Sequence, residues 1–367
     1  VTTRRFAGVA ALAALALTVS ACSSSSAGEG APSSSAPATA PATETSNSAA
    51  ASEPRPASAS AAEFPISIDH AFGTTTIDAT PERVATVAWS NHEVPIALGI
   101  VPVGMSKATW GDDDNDGVLP WVEDALADLG APTPVLFDET DGIDFEAVAD
   151  TQPDVILASY SGLTQEDYDT LSKIAPVVAF PEVAWGTSWQ DMIRMNSAAV
   201  GRPAEGEALV SELQGEVEAA VSAHPELRGK RILFSYIDPT DLSQIGFYTS
   251  HDTRPGFLAE LGFPMPAIVE EVSAGTSEFY SSVSAEEADR FADVDLFVTY
   301  GDPDSDVVAQ LQADPLLSKI PAIANGSVAI LENSTPLAAS ANPSPLSIGW
   351  GVEDYFALLA GSLVPNP

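Results

Sequence analysis

The segment Ser188 to His224, SWQDMIRMNSAAVGRPAEGEALVSELQGEVEAAVSAH, decides the architecture. Its apolar positions Met192, Met195, Ala199, Leu209, Leu213, Val217 and Val221 recur every three or four residues, the period of one helix face. It is predicted as one long helix with an interruption near Gly201 and Pro203. On its N-terminal side, runs rich in β-branched residues predict strands at Phe64 to Ile68, Thr74 to Ile77, Val84 to Trp89, Val101 to Met105, Val135 to Phe137, Val155 to Ser159 and Val177 to Phe180. Helical patterns fall between them at Glu93 to Gly99, Leu119 to Leu129, Asp144 to Asp150 and Gln165 to Ile174. A second series follows the segment. Its strands are expected at Arg231 to Ile237, Gln244 to Tyr248, Ile268 to Val269, Leu296 to Tyr300 and Val328 to Leu331, and its helices at Pro255 to Leu261, Ala285 to Ala292, Ser305 to Ala313 and Leu346 to Gly361.

Alternation of this kind predicts mainly parallel sheets covered on both faces. The fold class expected is therefore α/β: two lobes, each a mainly parallel sheet flanked by helices, joined by one long helix. The N-terminal lobe is placed at residues 63–186, the bridging helix at 187–224 and the C-terminal lobe at 225–367. One stiff helix between lobes predicts closure through small angles.

Upstream, Arg4 and Arg5 precede an apolar run from Phe6 to Val19 that ends in Val19-Ser20-Ala21-Cys22. The run is shorter than the roughly 20 apolar residues a bilayer span needs. Residues 1–22 are accordingly expected to be a lipoprotein signal peptide, with Cys22 the acylated anchor. Cys22 is the only cysteine, so no disulfide forms within one chain and no thiolate metal site is available. Residues 23–62, almost wholly Ser, Ala, Pro and Thr, carry no apolar period and read as a disordered tether. With 14 Lys+Arg against 52 Asp+Glu, the net charge is -38, which excludes nucleic acid as a partner and favours neutral or cationic ligands over polyanions.

Several stretches together resemble the siderophore and cobalamin class of substrate-binding proteins of ATP-binding-cassette (ABC) importers. In the first half these are Pro81-Glu82-Arg83-Val84 through Ala97-Leu98-Gly99 and Pro102-Val103-Gly104, then Gln152-Pro153-Asp154-Val155-Ile156-Leu157-Ala158, then Leu171-Ser172-Lys173-Ile174-Ala175-Pro176-Val177-Val178. In the second half they are Leu261-Gly262-Phe263, Val283-Ser284-Ala285-Glu286-Glu287, Asp293-Val294-Asp295-Leu296 and the tract from Pro315-Leu316-Leu317 to Ala324-Asn325-Gly326. The resemblance implies a ligand pocket between the lobes and an iron-siderophore uptake role on the extracellular face of the cytoplasmic membrane. It further implies an ABC permease as partner and a monomeric working state. Ferric hydroxamate is the favoured ligand, with haem or cobalamin as alternatives of the same class and a secreted carboxylate-based hydrolase as the alternative from another class. No intrinsic cofactor is expected, the iron arriving as a chelate.

Open α/β sheets bind ligands at the carboxyl ends of their strands. The aromatic residues expected there are Trp89, Trp110, Tyr160, Trp185, Tyr236, Tyr248, Tyr280 and Tyr300, with Phe247 weighed beside them; each could equally fill the core. Basic residues near these loops are few, Lys107, Arg194 and Arg254, and Arg254 is the one placed in the ligand set. Several arginines would be needed for a trianionic catecholate, so their scarcity turns the expectation toward a hydroxamate. In the family an acidic residue on each lobe meets transporter arginines. The matching positions are Glu146 and Glu286, which also read as ordinary first-turn carboxylates.

Asp112, Asp114 and Asp116, then Gly117 and, at position 12, Glu123, follow the oxygen spacing of a calcium loop. Pro120 at position 9 and the lack of a clear incoming helix depart from that pattern, and a solvated acidic turn is the alternative reading. Enzyme motifs are absent: the sequence contains no Gly-x-Ser-x-Gly, no His-Glu-x-x-His and no phosphate loop.

Overall fold

The computed structural model describes residues 62–364. The expected signal peptide, Cys22 and nearly all of the expected tether lie outside the described residues. Among these residues no helix is long and apolar enough to cross a membrane.

The described chain opens with a hairpin, β1 (Ile66–His70) and β2 (Gly73–Ile77), paired antiparallel in its own two-stranded sheet. The tight turn explains the local reversal: Gly73 sits at φ +130°, a conformation only glycine adopts without strain. The N-terminal sheet proper consists of β3 (Val84–Thr86), β4 (Gly104–Ser106), β5 (Val135–Phe137), β6 (Val155–Ala158) and β7 (Val177–Ala179), ordered β5-β4-β3-β6-β7 and parallel throughout. Its helices are α1 (Glu93–Ala97), α2 (Pro120–Asp128), α3 (Phe145–Asp150) and α4 (Gln165–Leu171). The predicted strand at Val84 to Trp89 ends earlier than its apolar run, because Ala88 and Ser90 adopt φ of 61° and 62° and turn the chain out of the sheet.

The bridging segment resolves into α5 (Trp189–Ala199) and α6 (Pro203–Ala223). At the break Gly201 has φ +74°, its N–H donates to Ala198 O, and Arg202 N–H donates to Ser197 O. That pair of bonds closes α5 with a left-handed C-terminal cap, and Pro203 restarts the helix at the first-turn position it favours. Gly206 lets the two helices approach closely, since a Cβ there would come 2.0 Å from the Ser197 hydroxyl.

The C-terminal sheet is ordered β10-β9-β8-β11-β12, from β8 (Ile232–Tyr236), β9 (Gln244–Tyr248), β10 (Tyr280–Ser284), β11 (Leu296–Gly301) and β12 (Val328–Glu332). Only β9 runs against the other four. Its helices are α7 (Thr253–Glu260), α8 (Ala267–Ser273), α9 (Val307–Ala313), α10 (Pro321–Asn325), α11 (Pro336–Ser340) and α12 (Pro345–Gly361). Two expectations are corrected here. Ile268 and Val269 lie in α8 and not in a strand, their two-residue apolar run being one buried turn of helix. The edge strand β10 went unpredicted, because Tyr280-Ser281-Ser282-Val283-Ser284 is mostly polar and is held by its pairing to β9. The predicted helix at Ala285 to Ala292 is a 3₁₀ segment over Ala285–Phe291.

Helix α12 returns from the second lobe to the first. Its start is tied to α1 by Glu93, which is fully buried and accepts from Leu346 N at 2.9 Å and from Trp121 Nε1 at 2.9 Å. Burial holds the Glu93 carboxyl above its ordinary range, while these bonds and the Ser344 hydroxyl pull it back. Farther along, Trp350 meets Trp121 with ring centroids 5.2 Å apart. One apolar cluster accordingly runs through both lobes, from Val94 and Trp189 through Val210 and Val217 to Phe234, Val298 and Phe356.

Candidate functional site

Three loops of the first lobe present their aromatic side chains to the second. Trp89 follows β3, Tyr160 follows β6 and Trp185 follows β7. Asn91 fastens the first two loops from within. Fully buried, it donates to Val87 O and Tyr160 O at 2.8 Å each, and its oxygen accepts from Tyr160 N at 3.1 Å. Trp185, like Ala88 and Ser90, has a positive φ, 60°. Strained non-glycine positions gathered on one wall of a cleft mark a place where the surrounding structure dictates the backbone.

From the second lobe, the start of α7 supplies Asp252, Thr253 and Arg254. Asp252 caps α7 by accepting from Arg254 N, and its two oxygens hold the Arg254 guanidinium through Nε and Nη2 at 2.8 Å each. The same guanidinium lies 3.7 Å from the Tyr248 ring centre and donates to the Tyr300 hydroxyl at 3.2 Å. Burial opposes the charge on Arg254, and the Asp252 carboxylate more than offsets it, so the guanidinium stays protonated. Burial pushes the Tyr300 hydroxyl up to about 12, so it stays neutral.

Between the lobes Trp89, Tyr160, Trp185, Asp252, Arg254, Phe279 and Asn342 enclose a cleft of about 250 Å³. Tyr160 spans it: its hydroxyl accepts from Asn342 Nδ2 at 3.0 Å and lies 3.3 Å from Thr253 Oγ1. Two hollows flank the cleft. One of about 330 Å³ is lined by Lys107, Trp110, Asp112, Asp138, Thr140 and Ser334, and Trp110 meets Tyr300 edge-on at 5.5 Å. The other, about 260 Å³, shares Trp185 with the cleft and contains Glu139, Ile143, Gly162, Leu163 and Asp167.

The structure thus brings Trp89, Tyr160, Trp185 and Arg254 into one cleft, with Tyr248, Tyr300 and Trp110 packed around the guanidinium or beside it. Tyr280 stands behind them, paired across strands with Tyr248. Tyr236 stands at the end of β8, 48% exposed, and lines none of these hollows. Phe247 is wholly core. Arg194 lies on α5, paired with Asp191 and Glu207. The sequence reading missed Asp252, Phe279, Asn342 and Glu139. Only Asp252 left a local trace, as an acid at the start of a helix.

Glu146 and Glu286 are exposed and sit in first turns, after Asp144 and Ser284, whose side chains cap those turns. Carboxylates of Asp112, Asp114 and Asp116 converge within 4.8 Å of one another. Glu123 faces them, and desolvation followed by the field of Asp116 and its neighbours pushes its carboxyl up to about 7.

Two α/β lobes whose strand ends meet over one aromatic cleft make a solute-binding protein. The sequence profile of the periplasmic binding protein family matches residues 84–335, and the chain belongs to that family. Among relatives, it is 47% identical to PiaA of Streptococcus pneumoniae, solved in complex with ferrichrome. That match covers 81% of this chain and 98% of PiaA, with a TM-score of 0.77. It is 29% identical over 240 residues to the Bacillus subtilis protein named "Probable siderophore-binding lipoprotein YfiY", covering 64% of this chain and 69% of YfiY. With the Escherichia coli Fe(3+) dicitrate-binding periplasmic protein FecB it shares 24% identity over 292 residues, covering 74% of this chain and 84% of FecB.

Proposed function

We propose that this protein captures a ferric siderophore of the hydroxamate class in the interlobe cleft and delivers it to an ABC permease, without chemical turnover. The observation that carries this reading is the state of Arg254. The cleft's single guanidinium is already neutralised by a bidentate carboxylate and stacked on Tyr248, so it offers hydrogen bonds to oxygen ligands but no surplus positive charge. A neutral tris-hydroxamate suits such a site, whereas a trianionic chelate would find no surplus positive charge in it. Trp89, Trp185, Tyr160 and Phe279 supply apolar and ring-face contact to the chelate's organic shell. The 47% identity to a ferrichrome-bound protein agrees with this reading; FecB, named for an anionic chelate, is more distant at 24%.

In the same reading Glu146 and Glu286 dock the loaded lobes to arginines of the permease, and Cys22 anchors a monomer to the outer face of the cytoplasmic membrane through the tether at 23–62. The lobe limits are 63–186 and 225–367, on either side of the helical bridge. Asp112, Asp114, Asp116 and Glu123 form a structural calcium loop, a reading supported by the convergence of the first three carboxylates within 4.8 Å. Trp110 lies close enough in sequence to sensitise terbium. Terbium luminescence displaced by calcium, and lost in Asp114→Asn, is the expected result; no luminescence assigns the loop to an ordinary acidic turn.

The function is tested by tryptophan-fluorescence titration against a ferric hydroxamate, a ferric catecholate, haem and cobalamin. Saturable one-to-one quenching by the hydroxamate in the sub-micromolar range is expected, corresponding to more than about 8 kcal/mol of binding free energy. Quenching by haem or cobalamin alone would move the protein to that branch of its class, and quenching by none would remove the chelate assignment.

A further inference from the structure

The hollow beside the cleft carries an unmatched acid. Glu139 Oε2 accepts from Ala88 N at 2.9 Å and from Ser106 Oγ at 3.1 Å, and Oε1 accepts from Ala88 N at 3.2 Å. Among the described residues none of the ion pairs includes it. The only other charged residue lining the hollow is a second acid, Asp167, and Lys107 lines the other hollow, where it acts on Asp138. The remaining lining is uncharged: Ala88, Gly142, Ile143, Gly162, Leu163 and Trp185. Trp185 is also a wall of the cleft, so the hollow adjoins the cleft across that indole and holds a carboxylate in its lining. The Ala88 amide that fixes Glu139 comes from one of the strained positions described above, which sets the carboxylate on a rigid support.

We propose that this hollow is a subsite for a cationic arm: an alkyl chain ending in a protonated amine, carried by a linear ferric tris-hydroxamate, lies along Trp185 and Leu163 and pairs with Glu139. The inference rests on the hydroxamate reading of the cleft and narrows it to chelates of net positive charge. A largely apolar hollow with a half-buried acid in its wall offers such an arm burial for its methylenes and a counter-ion for its ammonium, while a neutral cyclic chelate would occupy the cleft and leave the hollow unused. Without a cation burial pushes the Glu139 carboxyl up to about 7, against the pull of Ala88 N–H and Ser106. Arrival of an ammonium therefore expels a proton from the fraction that is protonated near neutrality.

The test compares a linear ferric tris-hydroxamate ending in a primary amine with its N-acetylated form, on the full chain and on Glu139→Gln, by fluorescence titration. The native protein should bind the aminated chelate about tenfold more tightly, as expected for a partly buried charge pair. In Glu139→Gln the two chelates should bind alike, at the affinity of the acetylated form for native protein. The second readout needs no variant: calorimetry in two buffers of different ionisation heat should show proton release at pH 7 with the aminated chelate and none with the acetylated one. Equal affinities for the native protein, or a preference that survives in Glu139→Gln, would overturn the subsite while leaving the cleft assignment intact. Failure of both chelates to bind native protein would overturn both.

Discussion

Replacing Arg254 by alanine should destabilise the ligand-free protein, and the amount can be worked from its surroundings. The Asp252 side chain is 1% exposed and that of Arg254 is 15% exposed, so the pair is buried and truncating Arg254 leaves a poorly hydrated carboxylate at the cleft wall. Breaking a buried pair by removing one partner typically costs about 3–5 kcal/mol, because the remaining charge is left uncompensated. The stacking of the guanidinium on Tyr248 at 3.7 Å contributes a further ~1 kcal/mol. Residual exposure of Arg254 screens part of the effect, so the lower end, about 3 kcal/mol, is expected for Arg254→Ala. If the stranded charge is the cause, removing it as well should restore most of the loss. Asp252→Asn still caps α7, asparagine being as good an N-cap as aspartate, and Arg254→Met keeps the apolar stem. The double variant should therefore lie within about 1.5 kcal/mol of native. Urea unfolding at pH 7 followed by far-ultraviolet circular dichroism measures both, with the slope of the transition checked for constancy. A loss below about 0.5 kcal/mol in Arg254→Ala, or a double variant as unstable as the single one, would refute the reasoning.

Two other outcomes follow from the geometry. A Cβ at Gly162 would come 2.2 Å from Trp185 Nε1, so Gly162→Ala should push the indole into the cleft. Chelate affinity should fall about tenfold for a stability cost of roughly 1–3 kcal/mol, and an unchanged titration would show that Trp185 does not wall the ligand site. For Glu139, the folded-state value of about 7 lies above its unfolded value, so the folded state holds the extra proton between roughly pH 4.5 and 7. Glu139 should lower the stability of the ligand-free protein by about 1–3 kcal/mol as pH rises through that window, after allowance for the partial exposure of the group, and Glu139→Gln should flatten the profile by that share, leaving the contribution of Glu123. Urea midpoints at pH 5 and pH 8, in chelator to exclude calcium, measure it, and equal slopes in both proteins would discount the burial of Glu139.

What the sequence by itself determined was the local part of this molecule. Two βα series with a helical bridge show in hydrophobic period and β-branched runs, because each element buries a face whose spacing is a property of that element alone. The break at Gly201 and Pro203 was equally legible, since a left-handed cap and a first-turn proline depend on residue type. Trp89, Tyr160 and Trp185 could be named because strand ends point to the cleft in open α/β sheets. The misreadings share one cause. The strand Tyr280–Ser284 has little apolar pattern and exists through its pairing with β9, while Ile268 and Val269 form too short a run for period to separate helix from strand. Only the tertiary structure decided the chemistry of the cleft. Asp252 neutralises Arg254, Asn342 meets Tyr160 across 182 residues, Glu93 caps α12 from across 253, and Glu139 reaches the Ala88 amide. Charge compensation and burial are properties of what the folded chain brings together, and no spacing along the sequence encodes them.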